Sequence, residues 1–272
     1  MRKCFTINPN RKPEEIKEYE EYLVKTNIYR GAEIFYPYQK TKHEQSLYKK
    51  AVKNLLKYDN FELVCHLPYG ASCNLATYQN IEETMELFEK AIVFAAGLEC
   101  KKLTLHPGNL DGTLEREVAL AVAASNIKEL TKLANRYKMT VMIENLVGLQ
   151  ELCLDVKELM ELIDLVDEPN IKLIIDCGHY HASKGSSKDL VALVKKVAPF
   201  IVHLHLSNNH GERDEHAPLV GGGNIDFYSY FAALEEIGYK GLYCSEVLYN
   251  SYLDLIETAK QMDSFIPLRR QK

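Results

Sequence analysis

Eight short apolar runs, each followed by an amphipathic helical stretch, constrain this chain more than any single residue does. The runs fall at 3–8, 31–36, 61–67, 102–106, 140–145, 172–177, 201–206 and 241–247. They are continuously apolar rather than alternating, the pattern of strands covered on both faces. The helical stretches cover 13–26, 44–56, 81–96, 113–137, 156–166, 188–197, 227–237 and 251–262. Local signals agree with these limits. Pro13 stands in a first turn, where its missing N–H costs nothing; Asp155 with Glu158 three residues on reads as a capping box; Asp226 stands where a cap is needed. Such alternation builds a parallel sheet under helices, and a count of eight selects the closed (β/α)8 TIM barrel over an open doubly wound sheet. No G-x-G-x-x-G turn follows the first run, which argues against a dinucleotide-binding sheet. With no linker or low-complexity stretch, residues 1–272 read as one barrel domain.

Composition enters mainly to exclude. A net charge of −5 does not point to nucleic acid, and no apolar run reaches the length of a membrane span. The N-terminus MRKCFTINPN lacks a signal-peptide core. The seven cysteines form no C-x-x-C pair and several lie inside apolar runs, as small buried hydrophobes do. A cytoplasmic protein with reduced thiols is the expectation, and a homo-oligomer is left open.

In a (β/α)8 barrel the site is built from the carboxyl ends of the strands. Here those ends read His66 (third), His106 (fourth), Glu144 (fifth), Asp176 with His179 (sixth), His205 (seventh) and Glu246 (eighth). The loop beyond the seventh strand adds Asp214 and His216. One polar residue at a strand end is ordinarily a structural hydrogen-bonder; six consecutive strands ending in His, Asp or Glu call for another explanation. Carboxylates crowded together repel, and divalent cations relieve the cost. Mixed imidazole and carboxylate ligands suit zinc, manganese or iron better than magnesium or calcium, and the supply is enough for one to three ions. Adjacent ions roughly 3.5–4 Å apart can clamp both oxygens of a phosphodiester displacement. One ion on Glu144, Asp176, His205 and Glu246 would instead polarise a hydroxy-ketone and acidify its α-proton. The residues permit both.

CHLPY (65–69), LHPG (105–108), IEN (143–145), DCGH (176–179), HLSN (205–208), RDEH (213–216), GGGNIDF (221–227) and SEV (245–247) together resemble the xylose-isomerase-like barrel superfamily. That group unites sugar and sugar-phosphate isomerases and epimerases with endonuclease IV-type apurinic endonucleases (AP endonuclease family 2). The resemblance to the ketose 3-epimerases implies one ion, often manganese, on Glu144, Asp176, His205 and Glu246. Glu144 and Glu246 would then move the proton, and His179 would steady the substrate oxygens. The resemblance to endonuclease IV implies three zinc ions on those residues plus His66, His106, His179, Asp214 and His216. Every member of the larger set is present.

Three departures weigh against the nuclease. The loop after the second strand, Tyr36-Pro37-Tyr38-Gln39-Lys40, is aromatic and lightly charged. The sixth-strand motif is Asp-Cys-Gly-His, as in isomerase-like members. Gly222 stands where both branches have a glutamate. The expectation is therefore a metal-dependent isomerase or epimerase of a sugar or sugar phosphate, with hydrolysis of abasic DNA as one alternative and a non-catalytic sugar- or metal-binding barrel as another. Arg213 and the rim aromatic Tyr69 join His179 as candidate substrate-binding residues. His203 reads as a core histidine one layer below His205, His181 and His210 as exposed loop residues, Gly221–Gly223 as either a phosphate cradle or a plain turn, and 268–272 as a frayed end.

Overall fold

The computed structural model describes residues 1–184 and 187–266; the tail 268–272 lies outside them. Among the described residues the strands are β1 (Arg2–Ile7), β2 (Gly31–Phe35), β3 (Glu62–His66), β4 (Lys102–Leu105), β5 (Thr140–Glu144), β6 (Ile171–Asp176), β7 (Ile201–Leu206) and β8 (Leu242–Ser245). Each pairs in parallel with the next, and β8 returns to β1 with Cys4 opposite Cys244, closing the barrel the alternation predicts.

Because successive strand residues face opposite ways, each run serves two cores. Outward residues such as Phe5, Ile34, Leu103, Ile143 and Leu204 pack beneath the helices in one large cluster. Inward residues Cys4, Val64, Met142, Ile174, Leu242 and Cys244 fill the barrel in a smaller one. All seven cysteines are buried and none is in a disulfide. No helix among the described residues is long and apolar enough to cross a membrane.

Several helices begin where side chains satisfy their first N–H groups. In α1 (Pro13–Tyr19), which runs on as a π-turn over Glu20–Val24, Pro13 takes the first position. Thr41 and Glu44 form a reciprocal capping box at α2 (Lys42–Lys53), two residues before the expected start. Next come α3 (Ile81–Ala96) and α4 (Arg116–Arg136). Asp155 caps α5 (Val156–Val166) through the N–H groups of Lys157 and Glu158, at 2.9 and 3.1 Å. The Glu158 carboxylate does not complete the expected box; it pairs with Arg116 of α4 and accepts from the Cys153 N–H.

A helix that strand periodicity hid, α6 (Cys177–Lys184), starts at once after β6, so Cys177 opens a helix rather than ending a strand. Then follow α7 (Ser187–Lys196), α8 (Phe227–Glu236) capped by Asp226 on the Ser229 N–H, and α9 (Tyr252–Ser264) capped by Ser251.

Candidate metal centre at the barrel mouth

The strand ends converge as their order requires. Parallel strands put every carboxyl terminus on one rim, so His66, Glu144 and Asp176 close their strands there and His205 stands one residue short of the end of β7. His106 and Glu246 follow β4 and β8 directly. Their ligand atoms fall into three sets at the mouth, the atoms of each within 4.8 Å of one another: His66, His106 and Glu144; Glu144, Asp176, His205 and Glu246; His179, Asp214 and His216; a fourth group joins His205 to Glu33, His203 and Cys244 deeper in the barrel. Glu144 belongs to two of them.

The imidazoles are oriented from behind. A carbonyl can only accept, so His66 donates its Nδ1–H to the Leu67 carbonyl (2.8 Å) and His179 its Nδ1–H to that of Asn145 (3.0 Å). Both therefore aim Nε2 into the site, 3.5 Å from Glu144 Oε2 and 3.4 Å from Asp214 Oδ2 respectively. His205 is turned the other way. Its Nδ1 faces the site, 2.8 Å from Glu144 Oε1 and 3.0 Å from Glu246 Oε2. Its Nε2 points down the barrel to Glu33 Oε2 at 2.9 Å.

Backbone geometry holds this arrangement. Asn145 ties the ends of β5 and β6 together, and the His179 N–H donates to Asp176 Oδ1 at 2.7 Å. Gly178 leaves room for the crossing to β7, since a Cβ there would lie 2.3 Å from Ser207 Oγ. Asn208 accepts from the N–H of Asn209 and Ile225 and donates to the Leu219 carbonyl, which folds the loop bearing Asp214 and His216 back over the mouth.

The donor set fits divalent cations. Glu144 Oε2, Asp176 Oδ2, Asp214 Oδ1 and His216 Nδ1 are buried polar atoms with no hydrogen bond among the described residues. Burial pushes the Asp176 carboxyl up to about 7, and neighbouring Glu246 and Glu144 add to the rise that His179 opposes. His216 moves to about 9: burial lowers it, and the bond to Asp214 at 2.8 Å with the nearby carboxylates more than offsets that. Groups so displaced in one cleft signal a site whose charges need a further partner.

The cavity above is about 630 Å³, lined by His66, Tyr69, His106, Glu144, His179, Asp214, His216 and Glu246, with Asn8, Asn10, Arg11 and Tyr249 at its edge. A second hollow of about 380 Å³ shares Asn8, Asn10, Phe35, His66 and Tyr69 with it and continues past Tyr36, Tyr38, Gln39 and Lys40. Tyr69 stands at the rim, its ring 4.9 Å from that of His66 and 5.0 Å from that of His106.

The nine expected ligands, Glu144, Asp176, His205, Glu246, His66, His106, His179, Asp214 and His216, are thus brought together, with Tyr69 beside them. Arg213 is not. Its side chain is 81 % exposed and lies 3.5 Å from Glu215, away from the mouth to which Asp214 and His216 contribute. His181, expected at the surface, is buried in α6 with Nε2 2.6 Å from Asn224 Oδ1. His210 is exposed and pairs with Glu215. The glycines 221–223 are packed closely against backbone: a Cβ on Gly222 or Gly223 would meet the carbonyl of Pro218 or Asn209 at 2.3 or 2.2 Å. Sequence reasoning missed Glu33, whose signal was a lone acid inside the apolar run GAEIF, and Arg11, which sits in a loop with no ligand-type neighbours.

A closed parallel barrel with this mouth defines a class, and the chain belongs to the Xylose isomerase-like TIM barrel family, whose sequence model matches residues 22–265. Within that class, the uncharacterized protein MJ1311 of Methanocaldococcus jannaschii is 27% identical over 185 residues, 66% of this chain and 62% of that protein. The chain thus spans less than two thirds of that relative. The L-ribulose 3-epimerase of Methylomonas sp. (strain DH-1) is 29% identical over 111 residues, 40% of this chain and 32% of that enzyme. A D-tagatose 3-epimerase-like protein of known structure superimposes with a TM-score of 0.80 at 21% identity, covering 96% of both chains, a likeness of fold.

Proposed function

We propose that this chain is a divalent-metal-dependent isomerase or epimerase of a sugar or sugar phosphate, moving a proton on the carbon next to a carbonyl. One observation carries the reading: Glu144 at the end of β5 and Glu246 just after β8, three strands on, both reach His205 Nδ1, at 2.8 and 3.0 Å, and both line a cavity large enough for a sugar. Manganese or zinc held by Glu144, Asp176, His205 and Glu246 supplies Lewis-acid polarisation of a carbonyl and its neighbouring hydroxyl.

The chain's own residues do the rest. One of the two glutamates takes the proton from carbon, and the other, reaching the same carbon from the opposite face, delivers one. His179 is held to the Asn145 carbonyl and keeps its Nε2 edge toward substrate oxygens. Tyr69 offers a ring face at the rim, and Tyr36 and Tyr38 extend that aromatic wall into the adjoining hollow. The epimerase relatives support this reading.

The test is wash-in of solvent deuterium into a panel of ketopentoses, ketohexoses and inososes by the Mn-loaded protein. Glu144→Gln and Glu246→Gln are each expected to abolish turnover. Exchange retained in both variants would remove the two glutamates from the mechanism.

A second reading rests on the two flanking sets, His66 with His106 and His179 with Asp214 and His216, which a one-ion epimerase does not need. They support a polynuclear phosphodiesterase. Nicking of a duplex containing an abasic site by the Zn-loaded protein, lost in His66→Ala, would favour it.

A further inference from the structure

One carboxylate beneath the mouth has no part in the chemistry above. Glu33 projects from the middle of β2 into the barrel interior and is 0% exposed. The layer around it is apolar, with Cys4, Val64, Met142, Ile174 and Cys244. A buried carboxylate in such surroundings is costly unless hydrogen-bonded donors meet it. Two do, on a single oxygen: His203 Nε2 at 2.8 Å and His205 Nε2 at 2.9 Å both reach Glu33 Oε2.

His205 is the one imidazole of the central set, and it presents Nδ1 rather than Nε2. The contrast with its neighbours is informative. His66 and His179 are oriented by backbone carbonyls, which any sequence supplies. At His205 the orienting acceptor is a side chain brought from β2, across the barrel from β7. A ring nitrogen can hold a metal only if it bears no proton, and the bond made by the other nitrogen decides which one that is.

We propose that Glu33 is a positioning residue for the central metal site: it keeps the proton of His205 on Nε2 and so keeps the Nδ1 lone pair on the site side. His203 takes part by donating to the same oxygen, which fixes the Glu33 rotamer. The inference rests on the reading that the quartet Glu144, Asp176, His205 and Glu246 binds an ion.

The experiment measures Mn²⁺ binding to the full-length protein directly, by the EPR signal of free Mn²⁺ and by calorimetry, with thermal unfolding followed in parallel. Glu33→Leu removes the acceptor, and Glu33→Gln keeps an oxygen of the same shape without the charge. The first Mn²⁺ equivalent is expected to bind about 10–100-fold more weakly in Glu33→Leu and by a smaller factor in Glu33→Gln. A merely structural Glu33 would lower the Tm and leave the affinity unchanged. Should Glu33→Leu not fold, Glu33→Gln and the ¹⁵N-histidine spectrum of the Zn-loaded wild type still decide: Nδ1 metallated and Nε2 protonated at His205 are expected. Wild-type affinity in the Glu33 variants, or metal on His205 Nε2, overturns the proposal. A wild type that binds no Mn²⁺ at all would instead overturn the metal reading beneath it.

Discussion

Asn145 and Asp176 exchange two hydrogen bonds across the β5–β6 rim. The Asn145 side-chain Nδ2 donates to the Asp176 carbonyl and the Asp176 N–H donates to Asn145 Oδ1, both at 2.9 Å. The residue directly after Glu144 thereby clamps the backbone of Asp176, so the spacing of two ligand carboxylates is set by one amide. All four atoms are buried, and Asn145→Ala strands an N–H and a C=O. The expected cost is about 3 kcal/mol of unfolding free energy, read from urea titration. A loss below about 1 kcal/mol would mean the rim does not depend on this clamp.

The ligand sets differ in charge, which orders their filling. The central set offers three carboxylates and an imidazole, whereas His66, His106 and Glu144 offer one carboxylate that is shared. The first Mn²⁺ equivalent therefore belongs to the centre. Its affinity should survive the pair His66→Ala and His106→Ala. It should fall in Asp176→Ala by more than the roughly 10–100-fold that loss of an outer hydrogen bond costs. Calorimetry on the metal-stripped protein checks both, and equal sensitivity in the two variants would show that the sets do not fill in this order.

The opposite end of the barrel carries a pH-dependent contribution to stability. Glu62 lies 2.7 Å from Lys102 Nζ and 3.0 Å from Arg2 Nη2. Burial pushes its carboxyl up, but Lys102 and Arg2 outweigh burial and hold it below the ordinary 4.5. A carboxyl with a depressed folded value stabilises the fold above its unfolded value and loses that contribution as pH falls through the folded one. Stability from this triad is thus complete near neutrality and is lost on acidification below about 4.5. Because Arg2 is 43% exposed, solvent screening limits the effect to about 1 kcal/mol or less. In Glu62→Gln the stability difference from wild type should shrink between pH 6 and pH 3. A constant difference over that range would assign the role to packing alone.

How much of this was legible beforehand depends on where a residue's signal lies. Strand order and closure were carried by eight separate apolar runs, so no single misreading could break them. His66, His106, Glu144, Asp176, His205 and Glu246 were legible because they stand at or beside a strand end, where a polar residue interrupts an apolar run, and His179, Asp214 and His216 because they follow two of those ends closely. Glu33 has the same polarity but sits mid-strand, and which face it takes follows only from the closed barrel. Arg213 misled for the converse reason: it is near Asp214 and His216 in the chain, but its side chain is 81% exposed and turned to Glu215. His181 was hidden by α6, whose start at Cys177 leaves no loop between strand and helix to announce it.

At Gly222, where the resemblance in the sequence implies a glutamate, the fold leaves no room for a side chain. A Cβ at this position would stand 2.3 Å from the Pro218 carbonyl oxygen and 2.7 Å from the Pro218 nitrogen, both backbone atoms that cannot rotate away. Relief requires moving the segment 217–222. That segment follows His216 directly and is anchored through the Ala217–Asn208 bridge, whose two hydrogen bonds are each 3.0 Å. Gly222→Glu should therefore destabilise the protein by about 1–3 kcal/mol. It should also weaken zinc at His179, Asp214 and His216 while the first Mn²⁺ equivalent at the centre keeps its affinity. A stabilised Gly222→Glu protein with tighter metal binding would mean that the loop has an alternative path.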